Sequence, residues 1–181
     1  MTIDVFIRTT SQSDRLRQAM LRVSIERWAL ETPHWYLVKD MGITQGRVFA
    51  ERHAESDPYA FTDDDCLIVG EKWLDRAASM VLANPKFAIV STLSLIEGEN
   101  LAVPHDDSDI YEMHSVGQPM LIRKGICVNL PDMDLNQECG ILHKFVLDKG
   151  YQMGLIHPKH HIRHNHMGSG FSSNPALFWG Y

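Results

Sequence analysis

Cysteine is scarce in this chain. There are three in 181 residues, Cys66, Cys127 and Cys139, an odd number with no CxxC pair among them. Such usage excludes a disulfide framework and a zinc knuckle, and it fits a reducing compartment. Long apolar runs are missing as well: no stretch approaches the roughly 18 apolar residues that a membrane span needs. The opening MTIDVFIRTT carries Asp4 next to an apolar segment too short for the centre of a signal peptide. The expected setting is therefore the cytoplasm. Internal repeats and low-complexity tracts are absent. Positive charge is in deficit, with 17 basic against 23 acidic residues and a net charge of −6, so the surface as a whole repels phosphate backbones and bulk nucleic-acid coating is disfavoured. What is present is an ordinary globular mixture, 44% hydrophobic and 22% charged. That is enough for a real core, in a length that suits one domain over residues 1–181.

Apolar runs alternate with helix-period segments along the chain. Val5 to Ile7 predicts a strand, and Ser11 to Asp14 offers capping side chains before a helix that runs to Thr32-Pro33. In that helix Leu16, Met20 and Val23 fall on one stripe and Leu21, Ile25 and Trp28 on another, which predicts packing on two sides. Trp35 to Val38, Arg47 to Ala50 and Tyr59 to Thr62 read as further strands. Glu71 to Ala83 has helical spacing and is stopped by Asn84-Pro85 before a strand from Phe87 to Val90. Pro119 to Arg123 reads as a strand, Leu135 to Lys149 as a helix closed by Gly150, and Tyr151 to Ile156 as the returning strand. This order implies an α/β protein, an αβα sandwich around a mainly parallel sheet, with ligands beyond the carboxyl ends of the strands. Two acidic loops, Glu97 to Ser108 and Val128 to Asp134, are long enough to carry function.

The most informative stretch is FTDDDCLIV, residues 61–69, where three carboxylates follow directly on an apolar strand. In an extended chain Asp63 and Asp65 project to one side and Asp64 to the other. Two carboxylates on one side suit magnesium or manganese, hard cations held by one or two carboxylates together with substrate phosphates. A solvated acidic turn is the plainer alternative. Near the C-terminus His157, His160, His161, His164 and His166 crowd one segment, and neutral imidazole is a common transition-metal ligand. Lys159, Arg163 and the turn Gly168-Ser169-Gly170 offer cations and amides to an anion.

The run YAFTDDDCLI resembles the metal-binding acidic motif of GT-A fold glycosyltransferases of the family 2 type. DVFIRTTSQSDRLRQAMLRVSI resembles that family's first strand, nucleotide-contacting turn and first helix, and WYLVKD its second strand. The resemblance implies a GT-A-like, Rossmann-like sandwich. Thr9, Arg15 and Asp40 would bind nucleotide, and Asp63, Asp64 and Asp65 would form the diphosphate and metal site. NQECGILHKFVLDKGYQMGLI resembles the family's acceptor-side helix and strand, which makes Glu138 the expected base, with Asp134 one turn earlier as its reserve. RHNHMGSG resembles the position that supplies a histidine to the metal, His164 first and His166 second. Two departures stand out: Asp40-Met41-Gly42 replaces the family's Asp-Gly-Ser, and Cys139 stands where an aspartate is usual. The implied activity is glycosyl transfer, with inversion, from a nucleotide-sugar, a UDP-sugar before others, using Mn2+ or Mg2+. The acceptor is open among a glycan, a lipid, a protein and a modified nucleic-acid base. A metal-dependent phosphoesterase or nuclease and a non-catalytic metal- or nucleotide-binding protein are the competing readings.

Overall fold

The computed structural model describes residues 2–11, 15–94, 108–114, 116–131 and 138–166. In chain order the elements are β1 (Val5–Thr9), α1 (Arg15–Glu31), β2 (Trp35–Lys39), α2 (Ile43–His53), β3 (Tyr59–Asp63), β4 (Cys66–Val69), α3 (Trp73–Ala83), β5 (Phe87–Ser91), β6 (Leu93–Ser94), β7 (Ile110–Glu112), β8 (Met120–Ile122), α4 (Glu138–Asp148), β9 (Gln152–Ile156) and β10 (Arg163–His166). Seven strands form the central sheet in the order β2-β1-β3-β8-β5-β9-β7. The pairs β1–β2, β1–β3 and β5–β9 are parallel. β8 runs antiparallel between β3 and β5, and β7 lies antiparallel on β9 at the edge. A smaller sheet, β4-β10-β6, stands beside it.

Alternation along the strands builds two core layers. Val5, Ile7 and Ala60 face one side with Trp28, Trp73, Leu74 and Val81 of α1 and α3. Phe6, Tyr59 and Phe61 face the other, with Ala50 of α2 and Leu142 and Val146 of α4. This is the αβα sandwich expected from the order of elements. Trp28 meets Trp73 edge to face, ring centroids 5.4 Å apart, and Ser24 Oγ donates to the Cys66 carbonyl at 3.0 Å, so α1 is fixed on β4 as well as on the sheet. The outer stripe of α1 is less buried than its spacing suggests, since Leu16 is exposed. Cys66 and Cys127 are buried cysteines outside any disulfide, and burial pushes the pKa of the Cys127 thiol up to about 11.

The segment read as a strand from Arg47 to Ala50 is instead part of α2. Its buried positions, Ile43, Gly46, Arg47, Ala50 and Glu51, follow the helical period, but two of them are charged and erase the hydropathy signal. Both charges are accommodated inside. Glu51 accepts from the backbone N–H groups of Gly125 at 2.7 Å and Cys127 at 3.0 Å and from the Tyr59 hydroxyl at 3.3 Å. The Arg47 guanidinium lies 5.7 Å from the centre of the Phe61 ring and directs Nη2 at Met120 Sδ. Gly46 permits the close approach of this helix, because a Cβ there would stand 3.2 Å from the Phe61 ring.

Two glycine substitutions check this packing with opposite signs. A Cβ at Gly154 on β9 would stand 2.4 Å from Ile110 Cγ2 and 2.8 Å from Phe87, both buried. Gly154→Ala is therefore expected to cost about 1–3 kcal/mol and to lower the melting temperature by roughly 2–4 °C per kcal/mol. Gly140 in α4 meets nothing within 4 Å, and Gly140→Ala should stabilise by about 0.5–1 kcal/mol. Thermal unfolding followed by circular dichroism reads both.

Candidate functional site

The parallel strands β2, β1 and β3 end side by side, and each ends in polar residues. Register pairs Arg8 with both Val38 and Asp63, and Thr9 with Lys39. The chain leaves β2 through Asp40 in the left-handed region, φ 56°, which short polar side chains tolerate. Its backbone N–H donates to the Thr9 carbonyl at 3.0 Å, and its Oδ1 accepts from the Ser11 N–H at 2.7 Å. The Ser11 backbone N–H, the Ser11 hydroxyl and that of Thr10 together hold the Asp40 carboxyl below the usual carboxylate range. Beyond these strand ends opens a cavity of about 470 Å³ lined by Arg8, Thr9, Thr10, Arg17, Asp40, Met41, Gly42, Asp63 and Asp64.

The acidic triplet does not continue as an extended strand. β3 stops at Asp63, and Asp64 and Asp65 make the turn into β4. The two-residue alternation therefore fails here, and Asp63 shares the cavity wall with Asp64, the residue expected to point away. Asp64 is only 1% exposed. Its Oδ2 accepts from Thr9 Oγ1 at 2.7 Å, and Arg17 Nε stands 3.3 Å from Oδ1. Burial pushes its pKa up, against the hydroxyl of Thr9 and the charge of Arg17, which pull it down. Asp63 Oδ1 accepts from Arg8 Nε at 2.7 Å. Two carboxylates, each paired with its own guanidinium, thus border one cavity. Asp65 is half-buried in the same turn and lies outside the cavity lining.

The other expected site residues disperse to varying degrees. Arg15 opens α1, exposed and outside the cavity lining. β10 runs antiparallel to β4 with His164 opposite Ile68 and His166 opposite Cys66, so the backbone of His166 reaches the end of the acidic turn. The His164 side chain is buried, and its Nδ1 pairs with Thr92 Oγ1 at 3.0 Å, tying β10 to the end of β5. Glu138 is the first residue of α4, and Asp134, like Gly168, Ser169 and Gly170, lies outside the described residues. His157 accepts from the Lys159 N–H at 3.1 Å and His160 pairs with Asp109 at 2.9 Å, away from the cavity. Among the described residues no three His, Cys, Asp or Glu side chains converge on a point that could hold an ion. The donors on the cavity wall are nevertheless of the right kind for a hard cation: carboxylate oxygens, one of them buried and poorly solvated. Sequence reasoning missed Arg8 and Arg17. The signal was available for Arg8, an arginine inside the apolar strand VFIRT that needs a buried partner.

No protein-family model and no curated protein matches the chain. Solved structures do match in fold. They include UTP-bound UGPase from Acinetobacter baumannii, at a TM-score of 0.65 and 10% identity over 98% of this chain and 93% of that one. A glycosyltransferase involved in the glycosylation of the major capsid of PBCV-1 matches at a TM-score of 0.57 and 9% identity, over 96% and 97% of the two chains. A197 from STIV matches at a TM-score of 0.55 and 14% identity, over 92% and 85%. At such identities the likeness is one of architecture: the chain has the α/β sandwich found in these nucleotidyltransferase and glycosyltransferase structures.

Proposed function

We propose that this chain is a nucleotide-sugar-dependent glycosyltransferase whose donor binds in the cavity beyond β1, β2 and β3. One observation carries the reading: the pairs Arg8–Asp63 and Arg17–Asp64 border the same cavity. Alternating fixed charges of this kind complement a cation held on a diphosphate, because each pair can open toward a partner of opposite sign. Arg8 and Arg17 turn their donors to phosphate oxygens, and Asp63 and Asp64 are left with oxygens for Mg2+ or Mn2+. When bound, that ion neutralises the departing diphosphate. The Thr9 hydroxyl keeps Asp64 oriented through the exchange. Asp40, ionised and beside the open Gly42, accepts hydrogen bonds from the nucleoside. Asp65, His164 and His166 are the further candidates for the metal; of the two histidines it is His166 whose backbone β10 brings opposite Cys66, at the end of the acidic turn. Glu138, with Asp134 behind it, is the base that takes the acceptor hydroxyl proton as the hydroxyl attacks the sugar, so the product is inverted. The donor is a UDP-sugar before others.

Nucleotidyl transfer is the second reading, favoured by two guanidinium groups at one cavity, which also suit a triphosphate. Products separate the two. Glycosyl transfer or slow donor hydrolysis releases a nucleoside diphosphate, whereas a nucleoside triphosphate with a sugar phosphate releases pyrophosphate.

Calorimetry with UDP and Mn2+ tests the site. Asp63→Ala and Asp64→Ala should each weaken metal-dependent UDP binding by about tenfold or more, the order of a lost charge-assisted contact. Arg8→Ala should move two affinities in opposite directions, UDP weaker and Mn2+ alone tighter, because Asp63 is uncovered. UDP binding indifferent to all three changes would remove the proposal. A second expectation concerns pH. A carboxyl whose folded pKa is depressed contributes stability that is present above its unfolded value, near 3.8 for Asp40, and is lost as pH falls through the lower folded value. The melting temperature of Asp40→Asn should therefore lie below that of the wild type at pH 5–7, with the gap closing below about pH 3.8.

A further inference from the structure

At the far edge of the molecule two histidines from different elements face each other. His114 follows β7 by two residues and His143 lies in the middle of α4. The Nδ1 of His114 is 3.3 Å from the Nε2 of His143, and the ring planes are inclined at 80° with centroids 4.8 Å apart. The cavity described above lies at the other end of the sheet. β7 is five strands from β1 in the sheet order, about 24 Å at the usual strand spacing.

We propose that His114 and His143 form a zinc site, open to solvent ligands, that ties α4 to the segment after β7. The nitrogen separation carries this. For a hydrogen bond 3.3 Å is long, but two imidazole nitrogens bound at about 2.0–2.1 Å to a tetrahedral ion stand about 3.3–3.4 Å apart. The donor set is two nitrogens, which selects zinc and its neighbours in the transition series over magnesium or manganese. Both supports are already fixed. Met113, next to His114, donates its N–H to the Met153 carbonyl on β9 at 3.0 Å. Leu142 and Val146, flanking His143 on α4, are buried in the core. The cation adjacent to the site is occupied elsewhere, since Lys144 donates to Asp148 at 2.9 Å, one turn further along the helix. The approach is open, with His114 exposed and His143 half-buried, so an ion can enter without rearrangement of the fold.

The test uses untagged, chelator-treated protein titrated with zinc chloride by calorimetry. The wild type and a His53→Ala control, which removes an exposed histidine on α2, should bind the same first zinc equivalent. His114→Ala and His143→Ala should each weaken that equivalent by about tenfold or more, with melting temperatures close to wild type in the absence of metal. Imidazole resonances of the unaltered protein provide a second measurement that does not depend on variants folding: the first substoichiometric zinc should shift those of His114 and His143. Unchanged zinc affinity in both variants, or a first shift at His157, His160 or His164, would overturn the proposal.

Discussion

A carboxylate taken out of water must be given a partner, and that requirement organises the polar end of this molecule. Asp64 is buried where β3 turns into β4, with the Thr9 hydroxyl on one oxygen and Arg17 at the other. A hydrogen bond to a charged group contributes about 1.5–3 kcal/mol, while the exposure of Arg17 lets solvent screen its part. Thr9 ends β1 and Arg17 belongs to the first turns of α1, so this one carboxylate connects the first strand, the first helix and the acidic turn. Asp63 repeats the pattern with Arg8 on the neighbouring strand. Together these pairs leave the mouth of the cavity lined by alternating charges, which suits a ligand that itself carries both signs.

Burial of charge recurs beneath α2, with a different outcome. Glu51 is satisfied by two backbone N–H groups and a tyrosine hydroxyl, and Arg47 lies against an aromatic ring, a sulfur and the side of the core. Neither group lines the cavity, and Glu51 holds the loop at Gly125–Cys127 against the helix. The contrast is physical. Polar groups satisfied by backbone donors and packed side chains rigidify a core, whereas ion pairs that border a cavity can be exchanged for a ligand's charges.

The small sheet explains how a remote segment reaches the acidic turn. β10 follows the last central strand, enters between β4 and β6, and brings His166 opposite Cys66, the residue after the acidic triplet. His164 is anchored through Thr92 at the end of β5, so the histidine-rich segment is held at both of its neighbours. Dense histidines in the sequence do not form one cluster in space. They separate because a short helical turn at Pro158–His160 directs His157 and His160 toward Lys159 and Asp109, while β10 sets His164 opposite Ile68 and the backbone of His166 opposite Cys66.

Much of the architecture was legible in the chain because hydropathy reports burial when the buried residues are apolar. The strands at Val5, Trp35, Tyr59, Phe87 and Gln152 and the helices α1, α3 and α4 follow their periods, and Gly150 closes α4 with a positive φ of 81°. The helix at Arg47 was hidden because charged residues occupy its inner face, where only tertiary partners make them tolerable. For the site, the sequence alone determined that a run of carboxylates follows an apolar strand, so Asp63 could be named from its position, whereas Thr9, Asp40 and Asp64 were named through the family resemblance. Tertiary structure alone decided that a turn at Asp64 redirects the second carboxylate into the cavity, and that Arg8 and Arg17 neutralise the pair. The physical reason is that side-chain direction follows local periodicity only while the strand lasts, whereas charge pairing depends on which distant residues the fold brings within about 3 Å.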